Sequence, residues 1–471
     1  MFKFRMSIGT GAVIATLTAA LLAGGSAQAM TLQEAVQLTV ATNPEIGEAR
    51  ANRLAIDHEL TQARGLYLPQ IDAAAEVGPE YVDSPTVRSR GDFNGDIATP
   101  RWQLSLFLQQ RVFDGFEADA EVERQASRVD AAAFRVLERS EFIGLDVVQA
   151  YLNVMRNMDL VRLARDNVAV HRQTLAEVQR LVGAGEASIA DSQQAEARLR
   201  NAEEILISFE TDLEESRIDY RSVVGEAPGQ LTMPQSVIAS LPTDLDTAIG
   251  TALDTNPLIS IALADLDVSH AELRGAESVF YPSLSLEGIA THGFDIGGQE
   301  GDDTRVSLLL IARYNLYRGG IDTANRQEQV ARIGESQETL DRIRREVEEL
   351  VRTSWNSLED VTRRIPVLEQ EVVAGEQVRQ SYREQFILGA RTLIDVLDSE
   401  NELFNSRVSL SSAQFAQVFA RYRIIAATGN LMNTLGIRVP DEATAIARER
   451  AGGVRPAHVS DMPLLGNDYF R

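Results

Sequence analysis

The residues of this chain that could do chemistry lie just after a glycine-containing turn at positions 388–391. Asp395 and Asp398 follow the turn at a spacing of three residues, which places both carboxylates on one face of a helix. Rings of such carboxylates line pores that select cations, so this pair could act on ions if copies of the chain meet there. A solvated helix face with two ordinary carboxylates is the alternative interpretation.

Other reactive groupings are missing from the sequence. There is no cysteine, and the five histidines do not have the spacing of metal ligands. We find no set of nucleophile, base and orienting residue, and no phosphate-binding loop. Asp92, Asn94 and Asp96 alternate like calcium ligands, but the glycine is misplaced and the expected glutamate is missing. The sequence therefore predicts a protein that is not an enzyme and that has no cofactor and no metal site.

Composition and the N-terminus restrict the compartment. The chain has 471 residues and a formal net charge of −24, which argues against a nucleic-acid partner. Residues 1–29 combine Lys3 and Arg5, an apolar run and the sequence Ala27-Gln28-Ala29, the pattern of a cleaved secretory signal peptide. A retained N-terminal anchor is the alternative. No later apolar run approaches the roughly 20 residues of a membrane helix, so contact with a bilayer would be through strands.

The chain is duplicated. Asn43-Pro44 recurs as Asn256-Pro257, an offset of 213, and Gly185 recurs as Gly389, an offset of 204. The offset changes only once, by nine residues, in the loop between two predicted strands. A duplication of this length is typical of repeat architectures, in which each copy forms one structural unit.

Each copy predicts the same order of elements. Short helical segments broken at Asn-Pro are followed by alternating apolar and polar residues, typical of a β-hairpin, and then by long heptad patterns that end at glycine turns. The predicted elements are short helices at 32–65 and 245–275, strands from 70, 102, 283 and 305, long helices at 115–182 and 319–386, and return helices at 188–224 and 392–435.

Four strands cannot close a barrel, and an open sheet edge in lipid leaves backbone groups unpaired at a cost of several kcal/mol each. Three chains would contribute twelve strands, a number observed in membrane barrels, together with a ring of long antiparallel helices. The pattern therefore predicts a hollow tube made by several copies.

These features resemble the TolC family of outer-membrane efflux proteins. The resemblance rests on the order of elements, the Asn-Pro and Tyr-Leu-Pro marks, the glycine turns and above all the stretch 391–398, Arg-Thr-Leu-Ile-Asp-Val-Leu-Asp, and it covers residues 31–437. It implies a mainly α fold with a membrane β-barrel part: a homotrimer with a twelve-stranded barrel in the outer membrane and an α-helical tunnel in the periplasm.

The resemblance also implies the function and the partners. The chain would be the passive exit duct of a tripartite efflux pump or type I secretion system, opened when a periplasmic adaptor and an inner-membrane pump, of the proton-driven (RND) or ATP-driven (ABC) type, dock on it. A secreted coiled-coil adaptor or structural protein is the alternative function.

The resemblance assigns roles at the predicted tips of the tunnel. Asp395 and Asp398 would form a ring of six carboxylates that narrows the entrance and favours cations. Arg391 and Asp191 would form a latch, and Phe386 stands at a latch position where the related sequence has a tyrosine. An exposed ion pair of little energetic weight is the alternative at the latch.

The remaining assignments concern the tip turns and the domain boundaries. The turns at Gly183, Gly185 and Gly389 would be where the adaptor docks. We expect a signal peptide at 1–29, a first repeat at 30–229, a linker at 230–244, a second repeat at 245–437 and a loose C-terminal tail at 438–471.

Overall fold

The computed structural model of the chain describes residues 30–83, 85, 99–299 and 301–451. The predicted signal peptide and the calcium-like stretch 92–96 lie outside these residues.

The two copies fold into the same sequence of elements. The first contains α1 (Leu32–Thr42), α2 (Pro44–Arg64), β1 (Gln70–Glu80), β2 (Thr99–Phe113), α3 (Glu117–Gly183) and α4 (Ile189–Val224). The second contains α5 (Leu245–Thr255), α6 (Pro257–Glu277), β3 (Ser283–Phe294), β4 (Asp302–Arg313), α7 (Ile321–Ile387) and α8 (Leu393–Ala427). Two short helices follow, α9 (Leu431–Thr434) and α10 (Ala447–Arg450).

The Asn-Pro pairs act as predicted. The side chain of Asn43 accepts a hydrogen bond from the Glu45 N–H (2.9 Å), and that of Asn256 accepts one from the Leu258 N–H (2.9 Å), so each asparagine caps the helix that begins at the following proline. Helices α2 and α6 both have 21 residues, so this part of the duplication is confirmed in the structure.

The long helices α3 and α7 both contain 67 residues and so extend about 100 Å. They differ in burial: 31 residues of α3 are buried, compared with five residues of α7. Helix α3 packs against α4, α6 and α8, whereas α7 contacts mainly α6 and α8 and leaves one side of the helical layer open. Among the helices of the described residues, none is both long and apolar enough to cross a membrane.

The four strands form one antiparallel sheet in the order β1-β2-β3-β4. The two hairpins join because β2 pairs with β3 along most of its length, and β1 and β4 are the edge strands of this sheet. The predicted alternation is confirmed: Ile71, Leu106, Val306 and Leu310 share one face and are 49–76% exposed.

Two buried tyrosines hold the segment between the two copies against the middle of the helical layer, and a third lies beside them. The Tyr151 hydroxyl lies 2.6 Å from the carbonyl oxygen of Thr232 and accepts a hydrogen bond from its N–H, and the Tyr422 hydroxyl donates to the Gln235 carbonyl (3.1 Å). Tyr220 is buried beside them. The linker is therefore held by α3 and α8 near the middle of the helical layer.

The prediction of a loose tail is wrong for residues 438–451. The side chain of Arg448 is buried between Asp130 of α3 and Asp267 of α6, and Glu442 pairs with Arg50 of α2 (3.0 Å). Ion pairing that the tail's own sequence does not reveal is the reason that this part is packed. Residues 452–471 lie outside the described part of the chain.

Two glycines occupy equivalent positions where the β-hairpins join the long helices, but their surroundings differ. Gly115 (φ +73°) and Gly319 (φ +66°) are both left-handed, but a Cβ at Gly115 would lie 2.4 Å from the Ser278 carbonyl oxygen, whereas the space around Gly319 is open. We expect Gly319→Ala to lower the free energy of unfolding by about 1 kcal/mol and Gly115→Ala by at least about twice as much. Thermal unfolding in detergent would measure both, and equal losses would contradict the close approach to Ser278.

Candidate functional site

The end of the helical part farthest from the sheet consists of two similar turns. Helices α3 and α4 are joined through Gly185 (φ +79°), and α7 and α8 through Gly389 (φ +69°). In each turn the residue after the glycine donates its N–H back to the helix, from Glu186 to the Leu181 carbonyl (2.9 Å) and from Ala390 to the Gln385 carbonyl (2.8 Å). This is the glycine-terminated Schellman arrangement, so two of the three predicted turn glycines adopt the left-handed conformation.

The third predicted turn glycine, Gly183, is the last residue of α3 and has no atom near the place of a Cβ. Its position therefore does not require a glycine for steric reasons.

A small apolar cluster holds the four helices together just above these turns. It contains Val178 of α3, Ala195 of α4, and Leu393 and Leu397 of α8, with Phe386 of α7 packed against them. Phe386 is therefore part of the packing between the two helical hairpins. The tip of the chain is one packed unit in which the first turn of α8 is in contact with the end of α3.

Asp395 lies in the first turn of α8 and is used locally. Its carboxylate accepts hydrogen bonds from the hydroxyl (2.8 Å) and the backbone N–H (3.2 Å) of Thr392 and so completes a capping box. These hydrogen bonds, aided by the positive charge of Arg391, hold the pKa of Asp395 below its ordinary value. Asp395 therefore stays ionised at neutral pH and loses its charge only when the pH falls through this lowered pKa.

Asp398, one turn further along α8, pairs with the other hairpin. Its carboxylate oxygen lies 2.7 Å from a guanidinium nitrogen of Arg198 on α4, and both side chains are partly exposed. This ion pair connects the two tips within one chain. It also places a positive charge beside one of the two aspartates that the sequence assigns to the entrance.

The predicted pair of Arg391 and Asp191 is not formed within the described chain. The guanidinium of Arg391 stacks over the Tyr382 ring (4.2 Å to the centroid) and donates to Gln385 (3.0 Å), with Asp395 at 3.8 Å. Asp191 instead accepts hydrogen bonds from the hydroxyl and the N–H of Ser188, the cap of α4. Both residues are satisfied inside their own hairpin: Asp191 by the cap of its own helix, and Arg391 by residues on both sides of the α7–α8 turn.

A second ion pair across the hairpins lies near the ends of the long helices. Arg383 of α7 is 3.4 Å from Glu177 of α3. Above it, the buried Glu400 of α8 lies 4.0 Å from Arg379, and burial raises its pKa despite the nearby arginines. Charged contacts therefore connect α3 with α7 and α7 with α8 in the last turns before the tip.

The opposite end of the chain has two distinct faces. The apolar face of the sheet is bordered by aromatic side chains at both ends, with Trp102 beside His292 (5.4 Å between ring centroids) and Phe113 beside Phe116 (5.4 Å). On the other face, charged side chains are paired. The pairs are Arg101 with Glu76 (2.9 Å) and Glu80 (2.8 Å), and Arg313 with Glu287 (2.9 Å). An apolar band with aromatic borders on one face and a polar opposite face is typical of membrane-spanning sheets.

Sequence reasoning missed Arg198 and the pair of Arg383 with Glu177. Arg198 and Asp398 are 200 residues apart, and no local spacing connects them. A weak signal does exist in the duplication, because the copies carry different residues at these positions: Asp398 corresponds to Gln194, and Arg198 corresponds to Glu402. The Arg198–Asp398 contact therefore lies at positions where the two copies differ in charge.

The fold and the tip together describe a segment of a tube: an apolar-faced sheet continues into helical hairpins about 100 Å long. Comparison with known proteins agrees with this description of the fold. The family described as "Outer membrane efflux protein" matches residues 35–226 and 248–430. The outer membrane efflux protein BepC of Brucella suis is 23% identical over 97% of this chain and 98% of its own length.

Two further comparisons extend the match. The outer membrane protein TolC of Escherichia coli is 24% identical over 86% of this chain and 83% of its own length. The crystal structure of the CmeC outer membrane channel of Campylobacter jejuni superimposes with a TM-score of 0.74 at 14% identity, and the match covers 90% of each chain.

The chain belongs to the outer membrane efflux protein family. The predicted resemblance to the TolC family is confirmed. The chain is an outer-membrane channel of the efflux and type I secretion class, with its helical tunnel in the periplasm. Members of the family are channels and not enzymes.

The capping box at the tip generates a prediction about local stability. Thr392→Ala removes the hydroxyl that holds Asp395, and such caps contribute about 1 kcal/mol. We expect the backbone amides at the start of α8 to exchange with deuterium about fivefold faster. Ser188→Ala is the matched control, since it should have the same effect on α4 and leave α8 unchanged. Unaltered exchange in α8 of Thr392→Ala would rule out this role of the box.

Proposed function

We propose that the chain works as a homotrimeric, passive exit duct whose periplasmic entrance is held closed by ion pairs between the two hairpin tips of each chain. The observation that carries this proposal is the Arg198–Asp398 pair, which joins the hairpins at the end farthest from the sheet. The duct catalyses no reaction. The proposed units are a first repeat at 30–229, a linker at 230–244 and a second repeat at 245–437.

Trimer formation is supported by what one chain leaves uncovered. A four-stranded sheet with two edge strands would leave a row of backbone groups unpaired in lipid, and three copies would pair them in a twelve-stranded barrel. The helical layer also leaves apolar side chains uncovered: Val367 and Val373 of α7 and Ile207 and Ile218 of α4 are 54–68% exposed. Neighbouring copies would cover these side chains, because α4 and α7 are the outer helices of the layer.

The gate would open by breaking contacts between hairpins. The Arg198–Asp398 and Arg383–Glu177 pairs connect the tips through exposed or half-exposed side chains. Exposed ion pairs contribute about 0.2–1 kcal/mol each, so a docking partner that offers alternative contacts can displace them. Arg391, which we assigned to a latch with Asp191, is held within its own hairpin and would instead stabilise the shape of the α7–α8 turn.

The entrance would favour cations through Asp395 more than through Asp398. In a trimer these residues supply six carboxylates, but Arg198 compensates the charge of Asp398 as long as the pair is intact. Asp395 keeps its charge because Thr392 stabilises the ionised form. Opening of the pair would expose both carboxylates, so the entrance would become more cation-selective as it opens.

The partners would meet the chain at the apolar ends of the tips. Ile189, Ile387 and Leu388 flank the turns of Gly185 and Gly389 and are 64–81% exposed. A periplasmic adaptor that covers these side chains would connect the duct to an inner-membrane pump of the proton-driven or ATP-driven type. Such docking would be adjacent to Arg198 and Asp398 and could disturb the pair directly.

Ion selectivity tests the carboxylate ring. We expect Asp395→Asn combined with Asp398→Asn to lower the cation preference of the channel, because six negative charges leave the narrowest part of the trimer. The reversal potential of single channels in a potassium chloride gradient across a planar bilayer measures this directly. Asp191→Asn is the control, since Asp191 has the same capping role in the other hairpin. A reversal potential unchanged from that of the control would disprove the ring.

Conductance tests the gate. We expect Arg198→Ala to raise the open fraction in planar bilayers by about fivefold for each chain, which corresponds to the loss of about 1 kcal/mol. Combining Arg198→Asp with Asp398→Arg should restore the closed state. Arg200→Ala is the matched control, because within the described part of the chain the ion pairs of Arg200 are with Glu196 and Glu203 of its own helix. The gate is refuted if Arg198→Ala conducts like the wild type, and the duct itself is refuted if no form of the protein conducts.

A further inference from the structure

The buried carboxylates of α3 are not used by the gate or by the sheet. Asp130 and Glu141 are 2% and 5% exposed and lie 11 residues apart, which is close to three helical turns and places them on the same face of α3. A carboxylate this deeply buried needs hydrogen bonds or a counter-charge. In both cases the partners come from the segment after α8.

The two carboxylates bind this segment in the same way. Glu141 accepts hydrogen bonds from the backbone N–H groups of Leu431 (2.8 Å) and Met432 (3.1 Å), at the start of α9. Asp130 accepts them from the N–H groups of Ala447 (2.7 Å) and Arg448 (3.2 Å), at the start of α10. Each carboxylate therefore satisfies two consecutive donors that a helix start leaves without an intrahelical partner.

Arg448 extends the upper attachment to the second repeat. Its guanidinium donates through Nε to Asp130 (2.8 Å) and pairs through the other end with Asp267 of α6. Its side chain is only 10% exposed, so the charges of Asp130 and Asp267 are compensated by one buried cation. A helix of the first repeat and a helix of the second are thereby joined through the tail.

We propose that residues 428–451 form a strap that is fastened to α3 at Glu141 and Asp130 and that locks the first repeat to α6 through Arg448. The strap spans the upper half of the helical layer, between the linker level and the sheet. It would keep the two repeats together there, whereas at the tips the repeats are joined by a small apolar cluster and by partly exposed ion pairs. This proposal does not depend on the channel gate.

The lower fastening, at Glu141, should respond to pH. Burial raises the pKa of Glu141 to about 7, opposed by the hydrogen bonds from Met432 and Leu431, and no charged side chain of the described residues contributes. Val36 of α1, Leu431 and Met432 belong to the apolar cluster that also contains Ile143 of α3, two residues from Glu141. Glu138 lies one turn before Glu141 on α3, and burial also raises its pKa while Arg139 opposes this effect.

The sign of the effect follows from the raised pKa. A released Glu141 would titrate near 4.5, so closure of the strap takes up a proton between about pH 4.5 and 7. The fastening at Glu141 is therefore strongest below this range and weakens as the pH rises through 7. At the upper fastening, Arg448 pairs with both Asp130 and Asp267, and burial raises the pKa of Asp267 while the charge of Arg448 opposes this effect.

Deuterium exchange of the full-length protein in detergent tests the lower fastening. In the wild type, we expect the amides of a peptide covering residues 428–437 to exchange at least about tenfold more slowly at pH 5 than at pH 8, after correction for the intrinsic exchange rate. Glu141→Gln keeps the size of the side chain and cannot ionise, so its protection should not change with pH in this range. A wild type without pH dependence, or a Glu141→Gln variant that retains it, would overturn the pH response.

The upper fastening is tested by exchange in residues 441–451 and in α6. Arg448→Ala should increase exchange in both segments, because Asp130 and Asp267 lose their shared cation, and Arg448→Lys should give an intermediate result since a single ammonium group cannot reach both carboxylates in the same way. Arg450→Ala, an exposed arginine of the same short helix, should leave both unchanged. Increased exchange in the tail alone would disprove the lock between repeats, and wild-type exchange in both segments would disprove the strap.

Discussion

The requirement that backbone N–H and C=O groups be paired inside a lipid bilayer determines most of this architecture. One chain supplies a four-stranded sheet whose edges, β1 and β4, have partners on one side only. Such a sheet can enter a membrane only when other copies pair with its edges. The long helices that follow the hairpins must then meet their neighbours in a ring, and their equal length of 67 residues brings all the tips to a common level.

Duplication supplies the scaffold, and the differences between the copies supply the specific contacts. The same capping box begins α4 and α8, with Ser188 and Asp191 in one copy and Thr392 and Asp395 in the other. One turn later the copies differ, since Asp398 has Gln194 as its counterpart, and Asp398 forms an ion pair with Arg198 of the other hairpin. The ion pair between the tips is therefore formed at positions where the two copies have diverged.

Helix α3 is the element against which the rest of the chain is arranged. It packs on α4, α6 and α8 and receives the linker through Tyr151 and the tail through Asp130 and Glu141. Buried charge is costly unless it is matched, and the segment after α8 supplies hydrogen-bond donors to both of these carboxylates. Helix α7, with five buried residues, is left to face other copies.

The sequence alone determined the order of the main elements and most of their boundaries, because helix caps, glycine turns and apolar periodicity depend on neighbours within a few residues. The return helix predicted over 392–435 is an exception, since α8 ends at Ala427 and the chain turns at Gly429 (φ +68°) before α9. It also determined the family, since the marks from Asn43 to Asp398 lie in that local order. Only the tertiary structure decided that Arg198 pairs with Asp398, that Arg391 stays in its own hairpin and that Arg448 is buried between two helices. An ion pair depends on which distant surfaces pack together, and a linear pattern carries no such information.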